Sequence, residues 1–115
     1  MLSKGKIAII HIYKNILGLS DVEYRNNYLG LFGVDSSKHL LDSQFKKLKD
    51  IFETNIKYRN LMSVNQYFAI MRLKKKIKDF DTFCVKNIKK NFKLLNEITK
   101  RDASILIYIL NKIKP

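Results

Sequence analysis

Helix breakers are nearly absent from this chain of 115 residues. The only proline is Pro115, and the four glycines (Gly5, Gly18, Gly30 and Gly33) are all early. Past Gly33 nothing short of Pro115 forbids a right-handed helix, and apolar residues recur at steps of three and four. The spacing predicts an all-α fold of six short helices. The first covers residues 7–17 and stops at Gly18 in a left-handed cap. Its apolar residues (Ile7, Ile9, Ile10, Ile12, Tyr13, Ile16, Leu17) cover most of its circumference, which makes it central. The second opens on the capping box Ser20-Asp21-Val22-Glu23 and reaches residue 31, with Tyr24, Tyr28 and Phe32 in step. Asp42 is expected to cap the third, residues 43–54, with Phe45, Leu48 and Phe52 inward and Lys46, Lys47 and Lys49 in solvent. Ser63-Val64-Asn65-Gln66 opens the fourth, which runs to residue 77. Asp79 or Asp81 starts a fifth that ends near Leu95. Thr99-Lys100-Arg101-Asp102 opens the last, through residue 113, and the apolar run 105–110 makes it central too.

The two halves match one another. Shifted by 60, Ile10, Lys14, Asp21 and Phe32 meet Ile70, Lys74, Asp81 and Phe92. Tyr13, Leu17 and Tyr28 then meet the apolar Leu73, Ile77 and Ile88. A contraction to an offset of 57 sets Asp42 against Thr99, and Leu48 and Phe52 against Ile105 and Ile109. Caps and core positions agreeing together predict an internal duplication, with residues 1–57 and 58–115 as related three-helix units. A unit of about 50 residues buries too little surface to be comfortably stable alone, so the two are expected to share one core.

Composition excludes several classes. An apolar fraction of 46%, with seven Phe and six Tyr, is enough to offset ordering entropy, so a disordered chain is excluded. One cysteine cannot form a disulfide within the chain. The longest apolar run falls far short of the roughly 18 residues that span a bilayer. Residues 7–13 are interrupted by His11 and lack a small-residue cleavage site, so no signal peptide is expected. The expectation is a soluble, intracellular protein. Its formal charge of +13 is unevenly placed. Residues 1–57 carry nine Lys or Arg against six acids, and residues 58–115 carry fourteen against four. That asymmetry points to an anionic partner. Lysines outnumber arginines 19 to 4, which an AT-rich coding sequence also produces. Lysine is the weaker residue for bidentate contacts, so contact with the DNA backbone fits better than base reading.

The first half carries the string Lys6-Ile7-Ala8-x-Ile10-His11-Ile12-x-Lys14-x-x-Leu17-Gly18-Leu19-x-Asp21-x-x-Tyr24-Arg25. It continues through Gly33, Ser36-Ser37-Lys38 and the helix start Leu41-Asp42-Ser43-Gln44. Over residues 6–52 the chain resembles the GemA regulatory proteins of Mu-like bacteriophages. The second half is similar only loosely, because the family usually carries a tryptophan-containing helix there and this chain has no tryptophan. The resemblance implies an early-region regulator that modulates host gene expression, with no established catalytic activity. It also implies a phage or prophage of an AT-rich bacterium, acting in the bacterial cytoplasm.

About 100° per residue puts Cys84, Val85, Ile88, Phe92 and Leu95 on one face of the fifth helix. Lys86, Lys89, Lys90 and Lys93 then cluster on the other face along about 10 Å, comparable with phosphate spacing on one strand. Arg72, Lys75 and Lys76 stand just upstream, with Lys74 and Lys78, and the first three complete the candidate DNA contacts. A solvated lysine surface or a site for an acidic protein has the same sequence pattern. A membrane surface fits poorly, since the apolar face is needed for the core and lacks tryptophan. Lys14 and Arg25 are the candidate contacts for the alternative partner, a host protein, and Arg25 stands i,i+4 from Asp21 for pairing. No catalytic group, metal, cofactor or small-molecule substrate is expected. Neither His11 nor His39 has a second His or Cys at ligand spacing, and His11 reads as a packed or half-buried helix residue. Cys84 lies on an apolar stripe, where burial raises a thiol's pKa, so it reads as core. Asp21 and Glu23 serve the capping box, and no GxxxxGKS, GxxxxGKT or GxGxxG string cradles a nucleotide. The expected function is a small non-enzymatic regulator that binds DNA with little sequence preference.

Overall fold

Six α-helices order the computed structural model, which describes residues 1–113. They are α1 Lys4–Leu17, α2 Asp21–Asn27, α3 Asp42–Tyr58, α4 Val64–Leu73, α5 Phe80–Ile88 and α6 Lys100–Lys112. Short 3-10 turns follow α2 and α4 and precede α3 and α6. Among the described residues there is no strand, only an isolated antiparallel bridge between Leu61 and Thr99. The all-α expectation holds.

Local chemistry explains where the helices start. The boxes at Ser20 with Glu23, Ser63 with Gln66 and Thr99 with Asp102 each satisfy two orphan N–H groups reciprocally. Asp79 caps α5 by accepting from the backbone N–H and the hydroxyl of Thr82. At the end of α1, Gly18 takes φ 68°, and Leu19 N–H bonds the Lys14 carbonyl at 2.9 Å. A Cβ on Gly18 would also stand 2.9 Å from the Asn96 side chain, so glycine serves both the turn and a chain crossing.

Four boundaries differ in ways that matter for the site. Leu41, not Asp42, occupies the N-cap position of α3, where its N–H donates to Gln44 Oε1 at 2.9 Å. Asp42 becomes the first helical residue, and its carboxylate pairs with Lys6. The second helix stops at Asn27 and tightens into the turn Leu29–Phe32, closed by Gly33 at φ 67°. The fourth stops at Leu73 and tightens over Lys74–Lys76. The fifth stops at Ile88 instead of near Leu95, because Lys89 turns into the left-handed region.

Two parallel helix pairs carry the packing. Lys6 pairs with Asp42, and further along Tyr13 Oη donates to Glu53 at 2.8 Å, so α1 and α3 climb together. Gln66 bonds Ser104 and the Lys100 carbonyl, while Lys76 bonds the Leu110 and Ile113 carbonyls, so α4 and α6 do the same. Each pair is tied at its base by a backbone bond of 3.2 Å, Leu2 N–H to Lys38 O and Met62 N–H to Ile98 O, and the second pair also by Lys100 N–H to Asn60 O at 3.0 Å. The Leu2 and Met62 bonds are related by the offset of 60. The third and sixth helices align at 58 and not 57. Phe45, Leu48 and Phe52 then meet Ala103, Leu106 and Leu110, all buried. The one-residue correction follows from Leu41 standing where Asp42 was expected.

One apolar cluster runs through both halves, from Leu2 to Leu106. In the first half Tyr13, Tyr24 and Tyr28 surround Phe52 with ring centres 4.9–6.3 Å away. Both helices expected to be central contribute to it, although Tyr108 of α6 is largely exposed. Between the halves, Arg59 donates to the Leu17 carbonyl at 2.9 Å and the turn Leu95–Glu97 packs on α1. The molecule measures 47 × 24 × 19 Å, and its radius of gyration of 15.5 Å exceeds the about 13 Å of a compact chain this long. It is elongated.

Candidate nucleic-acid interface

The continuous lysine face is not formed. With α5 ended at Ile88, only Lys86 of the four stripe residues lies on the helix. Lys89 sits at the helix end with φ 59° and is exposed. Lys90 turns inward and pairs with Asp102, whose carboxylate also accepts the Thr99 N–H. Burial pushes the Asp102 carboxyl up, but the bonds from Lys90 and Thr99 outweigh it and hold its pKa below the usual range. Lys90 therefore fastens the turn after α5 to the start of α6. Lys93 is exposed and lies 3.3 Å from Asp81. The apolar side of the expected helix is corrected as well: Val85 is half exposed, and Phe92 is buried from a non-helical segment.

Upstream, Arg72 and Lys75 are exposed, and Lys76 is spoken for. Its ammonium donates to the carbonyls of Leu110 and Ile113, neutralising the negative end of α6. Among the described residues, Arg72, Lys75, Lys86 and Lys89 stand exposed with no carboxylate in ion-pair range. They are what survives of the seven candidates. Three of the four acids in the second half are committed internally: Asp79 to its cap, Asp81 to Lys93 and Asp102 to Lys90.

Lys14, a candidate partner contact, is buried. Its ammonium is held by Asp21 and lies 4.8 Å from the centre of the Tyr24 ring. Lys14 lowers the Asp21 pKa, chiefly through that hydrogen bond. Lys14 is a structural latch between α1 and α2. Since Asp21 is taken, Arg25 makes no ion pair with it and stays exposed beside a shallow hollow with Ser36, Lys38 and His39. His11 is exposed, not packed, because it lies on the side of α1 opposite Ile16 and Tyr13. Cys84 is fully buried, and burial pushes its thiol up to about 11. Among the described residues, no three His, Cys, Asp or Glu side chains converge. No helix among them is long and apolar enough to cross a membrane. A comparison of the chain with protein-family models, curated proteins and solved structures returns no match.

Proposed function

We propose that this is a small non-enzymatic regulator that binds DNA by sequence-tolerant backbone contacts, made by Arg72, Lys75, Lys86 and Lys89. The observation that supports the reading is the charge ledger of the second half. Fourteen cations face four acids there, and three of those acids are spent on caps and internal pairs. Unneutralised ammonium groups repel one another until an anionic surface meets them, and releasing counterions from DNA makes that meeting favourable. The resemblance of residues 6–52 to GemA proteins supports a role in modulating host gene expression in a phage or prophage.

A salt series of binding to random-sequence duplex DNA tests this. Four phosphate contacts give a log–log slope of about −3.6, and Lys86→Gln with Lys89→Gln makes it shallower by about two units for any sequence. No binding at about 50 mM salt, where the electrostatic attraction is strong, overturns the reading in favour of a protein partner.

A further inference from the structure

At the junction of the two halves the chain leaves an open hollow of about 450 Å³, between the end of α1, the outer side of α4 and the segment after α5. Three lysines rim it: Lys14, Lys74 and Lys93. Tyr67, Met71 and Leu95, all partly buried, line it beside them. A second hollow of about 300 Å³ adjoins it, since Lys74, Phe92 and Lys93 line both, and it adds Lys78 together with the carboxylates of Asp79 and Asp81. The two form one groove with an apolar wall and a rim on which four lysines outnumber two acids, Asp79 being turned to its cap on Thr82 and Asp81 to Lys93.

Two of the rim cations are free to take a new anion. Lys74 has no carboxylate in ion-pair range among the described residues, and its ammonium lies 5.8 Å from the centre of the Phe80 ring. Lys78 is exposed and likewise without a carboxylate. Lys93 meets Asp81 only through an exposed pair, which solvent weakens. Lys14 is committed to Asp21 and contributes field alone.

We infer that this groove binds an acidic peptide segment of a partner protein, one that carries a bulky apolar side chain between carboxylates. The apolar residue fills the larger hollow against Tyr67, Met71 and Leu95, and the flanking carboxylates meet Lys74, Lys78 and Lys93. The volume suits side chains and falls within the roughly 300–1,000 Å³ of pockets that hold small ligands. A duplex presents only charged phosphates and sugars at its rim and has nothing to cover the apolar wall, so the groove is distinct from the DNA surface proposed above. The inference stands independently of that reading.

The probe is a fluorescein-labelled pool of short peptides randomised over Asp, Glu, Leu and Phe, followed by anisotropy. The pool binds the wild-type protein. Affinity falls about tenfold or more when Asn and Gln replace its acids, or when Ser replaces Leu and Phe. The double variant Lys74→Gln, Lys78→Gln loses about tenfold with an unchanged melting curve, whereas Lys46→Gln with Lys47→Gln on α3 loses nothing. Lys86→Gln with Lys89→Gln leaves peptide binding intact, so failure of the DNA reading and failure of this one are distinguishable. Absence of binding by the pool, or indifference to any of the acid, apolar or Lys74/Lys78 changes, overturns the inference. So does displacement of the peptides by single- or double-stranded oligonucleotides, which assigns the groove to nucleic acid.

Discussion

Lys89 holds φ 59° without being glycine, which costs an L-residue roughly 1–2 kcal/mol. Glycine takes that conformation freely but gives back part of the gain through a looser unfolded chain. Lys89→Gly is therefore expected to raise stability by about 1 kcal/mol, read as a higher urea midpoint at constant slope. The same change removes one unpaired cation and makes the DNA salt slope shallower by about one unit. Stability and binding moving in opposite directions is the outcome that marks Lys89 as a retained contact. Lys14 makes the complementary point. Its place in a helix with an acid seven residues on is visible in the sequence, but its burial depends on Tyr24 and Asp21 folding back over it.

At the scale of elements, four of the six helix starts were legible in the sequence because a cap involves residues only three apart. The other two differ: α1 begins at Lys4 under Ser3, and α3 is capped one residue early, by Leu41. Ser20, Ser63, Thr99 and Asp79 all act where the pattern placed them. The end of α5 was not legible. Between Asn87 and Asn91 there is no Gly or Pro, and periodicity alone carries the helix onward. What stops it is non-local: Lys90 reaches Asp102, twelve residues away. The only local cue is asparagine, for Asn91 Oδ1 accepts the Lys93 N–H in a turn of its own. This node yields a prediction. Asp102 closes a capping box and a partly buried pair, whereas Asp42 pairs with Lys6 on the surface. Asp102→Ala is expected to cost about 2 kcal/mol, and Asp42→Ala less than about 1 kcal/mol, by denaturant titration at neutral pH. The folded pKa of Asp102 is lowered, so its contribution is complete above the unfolded value of about 3.9 and is lost as pH falls through the folded one. Asp21, Glu23 and Asp79 are lowered too, so the wild-type protein loses stability on acidification below about pH 4. Asp102→Ala should flatten that decline.

At the scale of the whole molecule, the bonds from Leu2 to Lys38 and from Met62 to Ile98 stand 60 residues apart, and each anchors a parallel helix pair. The shared core decides how such a chain unfolds. Leu2, Phe52, Ile70 and Leu106 belong to one cluster, and Arg59 closes the end of α1 from beyond α3. Neither half can therefore open without exposing apolar surface on the other. One cooperative transition is expected, with far-UV circular dichroism and tyrosine fluorescence tracing the same curve. Four of the six tyrosines lie in the first 58 residues, so the fluorescence reports mainly that half while dichroism reports all helices. Phe52→Leu, which loosens the aromatic cluster of the first half, should lower stability by about 1–2 kcal/mol and shift both curves together. If the fluorescence shifted while part of the dichroism stayed in place, the halves would be independent units joined by a contact. The shared core would then be wrong, even with every helix where it is.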